Sequence, residues 1–146
     1  PVSTIFIHHT AMGRCFSMQE CMLEMKRIQD LHMDTNGWDD IGYSFVVGDD
    51  GMAYEARGWK RVGAHTRGWN SISVSIAVMG NFNDLLPSDA ALNAIDSLIS
   101  CGIFTLNVLT NYTLYGHRAA SPTFDSPGHM FNELIQTWPH HANLTA

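Results

Sequence analysis

Two apolar rhythms alternate along this chain, and their order constrains the fold. A period of two marks a strand and a period near 3.6 marks a helix. They occur in the order strand, helix, three strands, helix, strand, helix. Thr4 to His9 reads as a strand, with Ile5 and Ile7 on one face and Phe6 and His8 on the other. Ser17-Met18-Gln19-Glu20 forms a capping-box pattern, in which hydroxyl and carboxylate satisfy the first free N–H groups of a helix. Cys21, Met25, Ile28 and His32 then recur at helical spacing, and Asn36-Gly37 supplies a stop.

Tyr43 to Val47 and Met52 to Ala56 read as strands joined by Gly48-Asp49-Asp50-Gly51, a hairpin signal. Val74, Ile76 and Val78 alternate with small residues in a third strand of this run. Pro87-Ser88-Asp89 opens a second helix with Ala91, Ile95, Leu98 and Gly102 along one stripe. Thr113 to Gly116 is a short strand that ends at His117. Ser126-Pro127 predicts an N-cap followed by Pro at the first helical position. Phe131, Leu134, Ile135 and Trp138 mark the buried face of the last helix, which Pro139 stops. The order predicts an α/β fold, a central mixed β-sheet flanked by three helices, as one domain over residues 1–146. Residues 57–73 form a long irregular stretch rich in Gly, Trp, His and Arg, the kind of loop that carries function.

Charge narrows the partners. The net charge is −6, with only eight Lys plus Arg and no basic stripe, which argues against nucleic acid and anionic membrane surfaces. Eight His make part of the balance sensitive to pH. No apolar run approaches the ~20 residues of a membrane helix. The start, Pro1-Val2-Ser3, lacks an initiator Met and a signal-peptide pattern, as expected of a processed or excised domain.

The cysteines are Cys15, Cys21 and Cys101. A Cys15–Cys21 disulfide with Cys101 as a buried thiol is the simplest partition; three free thiols are the alternative. Two N-x-S/T sequons, at Asn111 and Asn143, point toward secretion and glycosylation.

His8 and His117 both fall at predicted strand ends. Ligands of α/β sheets bind at the carboxyl ends of strands, so one cleft could hold both. A hydrolytic zinc needs three protein ligands and an open position for water. On spacing alone, two separated His equally fit local hydrogen bonding.

Several segments together resemble the peptidoglycan recognition protein domain, which is related to phage-type zinc amidases. They are Ile7-His8-His9-Thr10-Ala11, Gly37-Trp38-Asp39-Asp40-Ile41-Gly42-Tyr43-Ser44-Phe45, Glu55-Ala56-Arg57-Gly58-Trp59, Gly63-Ala64-His65-Thr66, Ser75-Ile76-Ala77-Val78-Met79-Gly80-Asn81-Phe82 and Tyr115-Gly116-His117-Arg118. They stand in the family's order and cover nearly the whole chain. Within the family, the chain most resembles the ectodomain of an insect membrane receptor. The Cys15/Cys21 pair is similar to the family's short disulfide. The resemblance implies a groove at His8, His32, Trp38, Tyr43, Trp59, His65, Asn70, His117 and Ser126.

In the amidase members the positions of His8, His117 and Ser126 hold His, His and Cys, which bind zinc, and Tyr43 stands where the catalytic tyrosine is. Ser126 is therefore a departure. A thiolate is anionic and soft, whereas a serine hydroxyl is neutral and a poor zinc ligand. Asp125 or His129 could replace it only by a shift in register. The spacing from His117 to Ser126 is nine positions, one more than the family usually has, with Pro122 and Phe124 between. The bulkier loop could intrude on the groove. Gly58-Trp59 matches the pair that the family associates with diaminopimelate-type peptidoglycan. Receptors of that ligand often place Arg after the Asn of the Ala-His-Thr segment, but here Asn70 is followed by Ser71, with Arg67 nearby.

These features imply a non-catalytic, extracellular domain without catalytic residues, metal or cofactor, with His8 and His117 as vestiges of a metal site. The expected setting is the ectodomain of a plasma-membrane receptor in innate immunity. Its expected role is accessory, pairing as a heterodimer with a ligand-loaded related domain and meeting muropeptide weakly or through that partner. A direct peptidoglycan sensor and a zinc-dependent N-acetylmuramoyl-L-alanine amidase with an unusual third ligand are the alternatives.

Overall fold

The computed structural model describes residues 1–144. Five strands form one sheet: β1 (Val2–His9), β2 (Phe45–Val47), β3 (Ala53–Glu55), β4 (Ser73–Val78) and β5 (Val108–Gly116). Their order across the sheet is β3-β2-β4-β1-β5. β1 runs parallel to both its neighbours, and β2 runs parallel to β4. Only β3, the return strand of the hairpin, is antiparallel. This is the mixed sheet expected from the order of the elements.

Side-chain parity assigns the two faces. Ile7, Ile76 and Phe45 share one row of the sheet. With Ile5, Val74 and Val78 they form the larger core under α2 (Asp89–Phe104) and α4 (His129–Ile135). His8, Ala77 and Val46 share the next row on the other face. There α1 (Met18–Asp30) buries Cys21 and Ile28 against Val46, Ala77 and Met79. The small residues that alternate along β4, Ser75 and Ala77, lie on this second face. They leave room for α1 and for the long loop of residues 57–72.

The helix starts follow their caps. Ser17 accepts from the Glu20 N–H, and the Glu20 carboxylate accepts from the Phe16 N–H, one residue earlier than in a standard capping box. A short π-helical turn, Leu31–Thr35, extends α1 and carries His32 inward. Ser88 caps α2 by accepting from the Ala91 N–H. The last helix corrects the sequence reading. It starts at His129 behind Gly128, with no side-chain cap. Ser126 is not its N-cap, because the hydroxyl is engaged elsewhere, and Pro127 lies outside the helix. β5 is also longer than expected and ends where a short α3 (His117–Ala120) begins.

The disulfide Cys15–Cys21 is formed. It packs against the β2–β3 turn so closely that a Cβ on Gly48 would lie 2.5 Å from the Cys21 sulfur. Cys101 is free, but it is exposed and not the buried thiol expected, because it lies at the margin of the buried Ala91–Ile95–Leu98 stripe of α2, near the end of the helix. Asn111 is exposed on the edge strand, where the pairing with β1 is irregular between Val108 and Thr113. Asn143 is exposed too, while Thr145 of its sequon lies outside the described residues. Among the described residues, no helix is long and apolar enough to cross a membrane.

Asp49, in the hairpin turn, joins three parts of the chain. Its buried carboxylate accepts from Arg14 Nε at 2.7 Å and from the Ser88 N–H at 2.7 Å. Its carbonyl accepts from the Ser88 hydroxyl at 3.0 Å. Removing a buried, charge-assisted acceptor leaves its donors unpaired. Asp49→Ala is expected to lower the unfolding free energy by about 3 kcal/mol in urea titration. Lys26→Ala breaks only the exposed Lys26–Asp30 pair and is expected to leave the midpoint unmoved.

Candidate functional site

A cleft with a cavity volume of about 790 Å³ opens at the carboxyl ends of β1, β4 and β5. Each bordering element ends or turns there. β1 supplies His8 and His9, and the turn after α1 supplies His32 and Trp38. The long loop supplies His65, Thr66, Arg67 and Asn70, and the segment after β5 supplies His117 and Thr123 to Ser126. His8 and His117, far apart in sequence, stack with ring centroids 4.0 Å apart.

The stack belongs to a longer aromatic line along the cleft. Trp38 meets His32 at 4.8 Å, His32 meets Tyr43 at 5.4 Å, and Tyr43 meets His8 at 5.4 Å. Beyond His8 come His117 and then Phe124, whose ring lies 5.2 Å from that of His117 at an interplanar angle of 25°. In the middle His32, His8 and His117 are buried and Tyr43 is half-buried, while the ends are open: Trp38 is 37% exposed and Phe124 58%. The longer loop thus forms a wall of the cleft without filling it.

Thr66, to which the sequence reading gave no role, is fully buried between two of these rings. Its hydroxyl lies 3.1 Å from His8 Nε2 and 2.8 Å from His65 Nδ1. One hydroxyl hydrogen serves only one lone pair, so at most one ring accepts from Thr66 and at least one ring donates to its oxygen. Its place directly after His65 was the only sequence signal. Asn70 shapes the same loop, its side-chain oxygen accepting from the His65 and Thr66 N–H groups. His32 Nδ1 accepts from the Gly42 N–H and so fixes the turn before Tyr43.

Trp59 requires a correction. It does not line the cleft but packs on Phe45 at 4.5 Å in the larger core. A Cβ on Gly102 of α2 would lie 2.6 Å from its ring. The indole fills the notch that this glycine leaves, on the face of the sheet away from His8. Trp69 is also a packing residue, edge-on to Phe6 at 5.3 Å. Of the three tryptophans considered, only Trp38 borders the cleft.

Ser126 does reach the cleft, and its hydroxyl accepts from the His9 backbone N–H at 3.1 Å. His117 Nδ1 is buried without a partner. Among the described residues, no three His, Cys, Asp or Glu side chains are grouped as a metal ion requires. Two imidazoles and a neutral hydroxyl do not fit the donor set of a hydrolytic zinc.

Electrostatically the cleft is close to neutral. Burial lowers the pKa of His8 well below its ordinary value, and His117, His65 and His9 press it further down. Burial is also the first cause for His65, His117 and His9, each lowered to about 4. Burial pushes the Tyr43 phenol up to about 12. At neutral pH the fixed charges on the lining are those of Arg67 and Asp125.

The family profile for N-acetylmuramoyl-L-alanine amidase matches residues 1–129. The mouse protein "N-acetylmuramoyl-L-alanine amidase" is 45% identical over 143 residues, covering 96% of this chain and 27% of that protein. The chain thus spans about a quarter of the length of such amidases. Peptidoglycan recognition protein 1 of Bos indicus is 39% identical over 145 residues, covering 99% of this chain and 76% of that protein. A crystal structure of tracheal cytotoxin bound to the ectodomain complex of the peptidoglycan recognition proteins LCa and LCx superposes with a TM-score of 0.95. It is 42% identical and covers 97% of this chain and 85% of that one. The chain belongs to the family that unites these amidases and peptidoglycan recognition proteins.

The lowered histidines set the acid limb of stability. An unfolded His binds its proton near pH 6.5, whereas these folded ones bind it near 4, so the unfolded state holds more protons between those values. Their contribution is fully present above about pH 6.5 and is lost as pH falls toward about 4. In an NMR titration the imidazoles of His65, His117 and His9 are expected to stay neutral at about pH 5.5, where an ordinary His is mostly charged. The urea midpoint should rise with pH across the same window.

Proposed function

We propose that this chain is a non-catalytic recognition domain for peptidoglycan fragments, extracellular and part of an innate-immune receptor. The observation that carries the reading is Ser126. It stands where the resemblance places a cysteine zinc ligand, and its oxygen accepts from the His9 N–H. Two neutral imidazoles remain, held by stacking and by Thr66, and they suit hydrogen bonding to an uncharged ligand group. The proposed binding residues are His8, His32, Trp38, Tyr43, His65, Asn70, His117 and Ser126. The formed disulfide and the exposed Asn111 sequon support an extracellular setting, with Asn111 glycosylated.

Purified domain is expected to hold no stoichiometric zinc and to leave the lactyl–alanine amide of a muropeptide intact. About one tightly bound zinc per chain by metal analysis, together with cleavage, would overturn this in favour of the amidase. Ser126→Cys alone is not expected to restore activity, because the longer loop sets where residue 126 stands relative to the two imidazoles.

The complex of LCa and LCx ectodomains with tracheal cytotoxin supports a role in which a related domain shares the ligand. A direct sensor is the second reading, and the open cleft favours it, as does Arg67 on the lining, since a guanidinium pairs with carboxylates. Calorimetry with a diaminopimelate muropeptide separates the two. Binding only in the presence of a related domain is expected of the accessory receptor, and micromolar binding by the domain alone of the direct sensor.

A further inference from the structure

The segment after β5 bears an aromatic side chain that nothing above explains. Phe124 is large, 58% exposed and on the lining of the cleft. One face of its ring lies against His117, nearly parallel, and no other ring packs on it. The ring is held in place from behind. The Phe124 N–H donates to the Ser121 carbonyl at 3.0 Å, and the Arg118 N–H donates to the Ser126 carbonyl at 2.8 Å. The Arg118 guanidinium donates to the Asp125 carbonyl at 2.6 Å. An exposed ring fixed in this way loses little freedom when a ligand covers it.

Polar groups share this lining. Thr123 and Asp125, which flank Phe124 in the chain, offer a hydroxyl and a carboxylate, and Asn81 offers an amide. None of the three has its side chain tied to another part of the fold: the one contact in this group is local, the Asn81 side-chain oxygen accepting from the Asn83 N–H at 3.2 Å. A flat π face beside hydroxyl, carboxylate and amide groups matches a pyranose ring. The C–H face of the sugar meets the negative face of the aromatic ring, and its hydroxyls meet the polar rim. The opposite end of the aromatic line is Trp38, which stands on His32 beside Gly42 and Ala64, and Arg67 is the fixed cation among the described lining residues.

We propose that Phe124, with its chain neighbours Thr123 and Asp125, forms a sugar-stacking subsite that orients the ligand, glycan toward Phe124 and peptide toward Trp38. This rests on the reading of the cleft as a muropeptide site. It makes the longer loop an added contact, where the sequence suggested an obstruction.

Titration of the whole domain with two probes tests it: a disaccharide–tetrapeptide muropeptide and the same tetrapeptide without sugar. If an accessory domain is needed for binding, it is included at saturation in both arms. Phe124→Ala is expected to weaken the disaccharide probe about three- to tenfold and to leave the sugar-free peptide unchanged. Phe124→Trp should restore the disaccharide affinity. In NMR spectra of the wild-type complex, sugar C–H resonances should move upfield, under the ring current of Phe124, and this shift should vanish in Phe124→Ala. Equal losses for both probes, no loss, or tighter disaccharide binding in Phe124→Ala would overturn the subsite, the last by showing the ring to be a steric wall. Failure of wild-type protein to bind either probe, with or without the accessory domain, would overturn the muropeptide reading and the subsite with it.

Discussion

The burial of His8 in the interior strand governs this molecule. β1 has parallel neighbours on both sides, so from Thr4 to His9 neither face of the strand meets bulk water. A histidine placed there cannot keep a charge, and its ring nitrogens must find partners inside the fold. The long loop supplies one through the Thr66 hydroxyl, and β5 supplies a stacked ring through His117. The cleft is thus assembled around a single imidazole whose position is set by the sheet. The loop must approach closely enough to hydrogen-bond it, and that fixes where His65, Arg67 and Asn70 stand.

Much of this was legible because the strands and caps obey local rules. The alternation in β1 placed His8 opposite Ile5 and Ile7, and Ser17 and Ser88 cap the helices they were expected to open. The small residues of β4 read as a strand pattern, and their purpose, room for α1 and the loop, becomes visible only with the second face packed. The resemblance carried the meeting of His8, His117 and Ser126, which periodicity could not supply, since each follows a different part of the sheet.

The failures have physical causes. Ser126-Pro127 has the composition of a helix start, but the serine hydroxyl is taken by the His9 N–H across the sheet, and the helix begins only at His129. Cys101 lies in an apolar stretch, yet a buried stripe has a margin, and composition does not show which way one residue points. Trp59 stands in a loop rich in functional residue types. The notch at Gly102 that receives it lies 43 positions further along the chain, beyond any local pattern. Phe124 looked like bulk in the way of a ligand, whereas the ring turns flat against His117 and leaves the cavity open.

The seating of Trp59 also bears on the loop that borders the cleft. The indole anchors the start of the loop whose far end borders the cleft, while touching none of the cleft itself. Positions 59 and 102 are therefore one mechanical joint: a side chain at 102 would meet the indole, and the start of the loop would have to shift. A change at this joint would press on the loop from the side of the sheet that the cleft does not face.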